Sequence, residues 1–186
     1  MRIMNLSFVF LLCQVLSAPV LAQRNQVSDH PGFVDFSMLS SIAGIEPTVE
    51  VSLQGPILTM MTNLIRNQNV EAANFISTLL SVSVQVFESQ EIVDAPGMSS
   101  TMSEIAASLD ANSWSRIIRV REENENVDVF FRLSDNGELI HGITIMVAET
   151  GETVLVNIAG DISPDDISAI AQRFNIQQLE GLDEKD

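Results

Sequence analysis

Residues 127–160, VDVFFRLSDNGELIHGITIMVAETGETVLVNIAG, decide the fold. Two turns carrying glycine, Asp135-Asn136-Gly137 and Thr150-Gly151, cut this stretch into three runs in which apolar residues alternate. A glycine in the left-handed conformation suits tight hairpin connections of this kind. Pairing Ser134 with Glu138 sets Val127, Val129, Phe131 and Leu133 on the same face as Leu139, Ile143, Ile145 and Val147. Pairing Glu149 with Glu152 brings Val154, Val156 and Ile158 onto that face as well. Two independent turns thus generate one continuous apolar surface, which is the agreement between local and global pattern that specifies a register.

Working outward, the stretch from Trp114 supplies a further strand ahead of these three. Upstream, Thr48 to Leu53 and Ser81 to Phe87 alternate with period two and read as strands. Between them, Gly55-Pro56 places proline at a first helical position, and Ile57, Met61, Leu64 and Ile65 share one helical face. Ala72, Phe75, Ile76 and Leu79 continue it, as one bent helix or two short ones. Thr101 with Glu104 forms a capping box that opens a helix ending near Asp110. Ser163-Pro164-Asp165-Asp166 opens a last helix carrying Ile167, Ile170, Ala171 and Phe174. Right-handed crossovers place linking helices on one side of a sheet. The expected fold is therefore α+β, a two-layer sandwich: a mixed sheet of about six strands ending in an antiparallel meander, with helices on one face.

The ends of the chain carry different information. Arg2, the apolar run Leu6 to Leu12 and the small-residue pattern Val20-Leu21-Ala22 ahead of Gln23 have the layout of a secretory signal peptide, cleaved between Ala22 and Gln23. The apolar run is shorter than the roughly 20 residues that a membrane-spanning helix needs. Cys13 follows Leu12 rather than a small residue, so lipidation is not expected. The expected organisation is a signal peptide over 1–22, an irregular arm over 23–46, one domain over 47–175 and an acidic tail over 176–186.

Composition narrows the function classes. Cys13 is the one cysteine and departs with the signal, which excludes disulfides, thiol catalysis and thiolate metal sites. A net charge of −16, with Lys185 the sole lysine, repels phosphate backbones and anionic headgroups, so no nucleic-acid partner is expected. No later stretch has the length and apolarity of a membrane span.

Several residue groups invite chemistry and also have plainer readings. Asp161, Ser163, Asp165 and Asp166 resemble a calcium loop but lack its central glycine and distant glutamate, whereas serine as N-cap with acids in the first turn explains them. His141 falls on the apolar face at a strand end and His30 lies in the arm; two histidines without a third ligand do not make a zinc site. No metal or cofactor is expected. There is no Gly-x-Ser-x-Gly elbow, and no histidine stands in relay with a serine. Trp114, just before a strand, reads as a core lid. Arg116, Arg119, Arg121 and Arg132 gather in two neighbouring strands, where they can pair with Glu122, Glu123 and Asp128 or clamp an anion. Phe130 and Ile140 share that second face, which makes Arg119, Arg121, Arg132 and Phe130, with His141, the candidate ligand or partner patch.

The segments Pro31 to Phe36, Thr48 to Leu53, Trp114 to Val120 and Glu152 to Asp161 together resemble a bacterial envelope family, domain of unknown function 4252. The resemblance covers nearly the whole chain after the signal and implies bacterial origin and export. Many members look like lipoproteins, which this signal departs from, and the family transfers no catalytic residue. The expectation is an exported, non-catalytic protein of the periplasm or exterior, acting as an interaction or accessory module on another envelope protein or on itself. The alternative is a small periplasmic hydrolase or ligand-binding protein using carboxylates and His141.

Overall fold

The computed structural model describes residues 27–37, 46–88 and 96–167. The expected signal peptide with Ala22 and Gln23, the expected acidic tail, and Ile170, Ala171 and Phe174 lie outside them. The described chain is an α+β sandwich on a six-stranded sheet: β1 (Val49–Gln54), β2 (Leu79–Glu88), β3 (Ser115–Arg121), β4 (Glu125–Leu133), β5 (Ile140–Glu149) and β6 (Glu152–Ile162). Helices α1 (Pro56–Ile65) and α2 (Val70–Thr78) join β1 to β2, and α3 (Pro96–Ala111) joins β2 to β3.

The strand order is β1-β2-β6-β5-β4-β3, and every neighbouring pair is antiparallel. The expected mixed sheet is therefore corrected. The α1–α2 connection turns β1 and β2 into an antiparallel pair, and the crossover from β2 to β3 spans the sheet without making them neighbours. Both turn glycines take the left-handed conformation, Gly137 with φ 74° and Gly151 with φ 84°. Glu149 pairs with Glu152 as expected. Beyond the first turn, Val129 faces Ile145 and Phe131 faces Ile143, two residues from the expected partners. Irregularities between Arg132 and Leu133 and between Ile140 and Gly142 absorb the slip. An even slip keeps the same side chains on the same face.

That face is built from aliphatic lanes crossing the sheet. Ile118, Val129, Ile145, Val156, Val84 and Val51 form one; Val120, Val127, Val147, Val154, Val86 and Val49 form the next. Phe75 of α2 packs at one end, with Ile143, Ile145, Ile158 and Phe131. The opposite face holds the more deeply buried core: Phe87, Phe130, Met146 and Leu155 beneath Met98, Ile105 and Leu109 of α3, with Trp114 and Phe36 beside them. Helix α3 thus covers the Phe130 face, whereas the aliphatic lanes meet a helix at the α2 end and stay half-buried or exposed, Val49 at 44% and Val51 at 37%. Along β6, Val154 and Val156 face the lanes half-buried while Leu155 on the other face is fully buried, so alternation alone does not say which face the long helix takes.

Local caps refine the helices. The α1–α2 stretch is two helices, because Asn69 caps the second by accepting from the Ala72 amide at 3.1 Å. Helix α3 spans Pro96–Ala111, so Thr101 lies buried inside it instead of at its start. The Ser163 cap is present: its hydroxyl accepts from the Asp166 amide at 3.2 Å, and Asp166 accepts from the Ser163 amide at 3.2 Å.

Candidate functional site

Two constellations of polar side chains stand out. The first lies between α3 and the β3–β4 edge. Alternation along β3 and β4 brings Arg119 opposite Asp128, and Arg121 and Arg116 lie one register step to either side. All three guanidinium groups converge on that carboxylate: Arg121 Nη2 at 2.6 Å from Oδ2, Arg119 Nε and Arg116 Nε each at 3.5 Å from Oδ1. Arg116 also meets Asp110 at 2.5 Å and stacks over Phe130, 4.6 Å from its centroid. The adjoining cleft, of about 410 Å³, is lined by these groups with Met98, Met102 and Thr153. Asp128 is buried, whereas the Arg119 and Arg121 side chains are half open to solvent. Of the expected partners Glu122, Glu123 and Asp128, it is Asp128 that meets the arginines, buried instead of on a solvated face, and Asp110 joins it.

The remaining members of the expected patch disperse. Arg132 turns away to the carbonyls of Leu133, at 3.0 Å, and Ser113, at 3.4 Å. Phe130 is fully buried and Ile140 nearly so, the latter on the other face with Ile143 and Ile162. Neither is offered to a partner, which corrects the semi-apolar second face. Helix α3 covers that face, and the break in alternation beside Ile140 carries that residue to the other side.

The second constellation forms where the N-terminal arm crosses the sheet. Phe36 plugs the main core and Gly32 presses on Gly142, where a Cβ on Gly142 would lie 2.5 Å from the Gly32 Cα. Between them the fully buried Asn157 binds the arm on both edges of its carboxamide. Its Oδ1 accepts from the Val34 amide at 3.1 Å, and its Nδ2 donates to the Gly32 carbonyl at 3.0 Å and to Thr144 Oγ1 at 3.2 Å. The irregularity between Ile140 and Gly142 sets His141 out of alternation, beside the arm, instead of on the apolar face. His141 Nδ1 lies 2.9 Å from Asp161 Oδ1, and His30 Nε2 lies 3.6 Å from the same oxygen. The two imidazoles meet edge to face, 5.3 Å between centroids. Burial holds the His30 pKa below its ordinary value; Asp161 pulls it up, and His141 adds to the lowering. His30 is therefore a neutral ring at pH 7, with Nδ1 accepting from the Gly32 amide at 3.2 Å.

Sequence reading sets His30 and His141 together as a pair lacking a third ligand and places Asp161 in a different group, with Ser163, Asp165 and Asp166; spacing has no means of uniting the three. Asn157 went unnoticed, although a lone amide inside the apolar run Leu155 to Ala159 is a usable signal: a buried amide demands partners. No helix among the described residues is long and apolar enough to cross a membrane. No curated protein matches the chain. A family model described as Domain of unknown function (DUF4252) matches residues 44–170.

Proposed function

The chain belongs to the Domain of unknown function (DUF4252) family, and from that premise we propose that it is an exported, non-catalytic module of the bacterial envelope that binds another envelope protein through α1 and the edge strand β1. One observation carries this reading. Helix α1 buries Leu58 and Thr62 and turns its apolar stripe outward: Ile57, Met60 and Leu64 are 44%, 55% and 65% exposed. Val49 and Val51 of the edge strand β1 are exposed as well. Thr62 satisfies its hydroxyl on the Leu58 carbonyl at 2.9 Å, which lets a polar residue occupy the inner side. The net charge of −16 favours a protein partner over nucleic acid or an anionic lipid surface. The pattern from Arg2 to Ala22 supports export.

The test compares the wild type with the Met60→Asp, Leu64→Asp double variant in capture from a periplasmic extract. Recovery of the same protein by the wild type and its loss on the variant is the expected result. Equal recovery on both, or no specific recovery, overturns it. A mass that rises with concentration in light scattering, and falls to the monomer in the variant, would instead make the partner a second copy.

A further inference from the structure

We propose that His30, His141 and Asp161 form a binding site for one divalent first-row transition ion of the Zn²⁺ class, which clips the N-terminal arm to the sheet. One ligand atom from each residue lies within 4.8 Å of the others, and among the described residues this is the one group of three such side chains so arranged. Zinc bonds of about 2.0–2.2 Å in a tetrahedron hold ligand atoms roughly 3.4 Å apart. The separations from Asp161 to His141 and to His30, 2.9 Å and 3.6 Å, bracket that value, and all three ligand atoms lie within 4.8 Å of one another, so side-chain rotations bring the set onto an ion.

The donor types select the metal. Two imidazole nitrogens and one carboxylate oxygen suit Zn²⁺, Ni²⁺, Co²⁺ or Cu²⁺, whereas Mg²⁺ and Ca²⁺ want six or more oxygens. Three protein ligands leave a position for water, and the 61% exposure of the Asp161 side chain gives the ion a route in. The histidines are more enclosed, at 12% and 22%. Their backbones are fixed independently of any ion, His30 by the Asn157 clamp on the following residues and His141 by its place against Gly32.

Loading has one internal consequence. An ion on His30 Nε2 moves the ring proton to Nδ1, the atom that now accepts from the Gly32 amide. That hydrogen bond must yield, so the Gly32 amide reports occupancy.

The experiment uses purified protein stripped with a chelator and titrated with ZnCl₂ in a calorimeter, with MgCl₂ as the control. Saturable binding of one zinc per chain is expected, with no magnesium heat. His141→Ala and Asp161→Asn should each weaken zinc by at least about tenfold, the lower end of what losing a hydrogen-bond partner behind a ligand already causes. Asp161 is exposed, so its variant should keep the wild-type circular dichroism; His30→Gln provides a second ligand removal from the arm. In amide NMR, Gly32 should shift at saturating zinc in the wild type, and in Asp161→Asn the same shift should need at least about tenfold more zinc. Absence of saturable zinc binding, wild-type affinity in all three variants, or an unmoved Gly32 amide at saturation would each overturn the proposal.

Discussion

Gly32 and Gly142 lie back to back, one in the arm and one in the central strand β5, so close that a Cβ on either would collide with backbone of the other segment. Trp114 closes the same spot from the side, its ring tip 2.6 Å from where a Cβ on Gly142 would stand. Contact between two main chains leaves no flexible atom to give way. Gly142→Ala should therefore cost about 1–3 kcal/mol, the usual penalty of overpacking. It should also lift the arm, seen as faster hydrogen exchange at Gly32 and Val34.

Asn157 tests the same docking from the polar side. Asn157→Ala strips partners from the Gly32 carbonyl and the Val34 amide in a buried setting. Each orphaned group costs about 1–3 kcal/mol, and a urea titration should show a midpoint well below that of the wild type. Asn157→Asp should also be severe, because a carboxylate can accept from Val34 but cannot donate to Gly32 and would bury a charge.

The assignment of the deeper core to the Phe130 face makes a paired prediction. Phe130→Ala empties a fully buried site beneath α3 and removes the ring under Arg116, and should cost about 3–5 kcal/mol. Ile117→Ala, at a position 48% exposed on the neighbouring strand, should fall within about 0.5 kcal/mol of the wild type. Thermal melts of the two variants decide it.

The three arginines depend unequally on Asp128. Arg119→Ala breaks a pair whose cation is half open to solvent and should cost less than about 1 kcal/mol. Asp128→Asn leaves Arg116, largely covered, facing two other cations, and should cost about 2 kcal/mol, short of the 3–5 of a fully buried pair because Arg119 and Arg121 remain hydrated. Chemical denaturation of both variants in urea, which leaves ionic strength unchanged, checks the ranking.

How much of this was legible in the sequence depended on whether a residue's role was local. Gly137 and Gly151 announced their turns because a left-handed backbone is a property of the turn itself. The Ser163 cap was legible for the same reason. Thr101 with Glu104 had equal local credentials, yet α3 begins five residues earlier and buries Thr101 in its body. The two-residue slip of β5 came from irregularities that no alternation pattern marks, and the same local break delivers His141 to the arm. His30 and Asp161 meet only because Asn157 and the two glycines dock residues far apart in the chain. The arginine cluster was legible in part, since register alone places Arg119 against Asp128; that Phe130 would be sealed beneath α3 was not, because it requires knowing which side the helix chooses.

The last strand among the described residues, β6, lies in the middle of the sheet, between β2 and β5. Until β6 is in place as far as Ile162, the earlier β1–β2 pair has no neighbour to join, and the β3–β4–β5 ribbon presents a bare edge where β6 will go. Completion is thus a closing of two halves onto a latecomer, and a truncation inside β6 should release both halves at once instead of trimming one border.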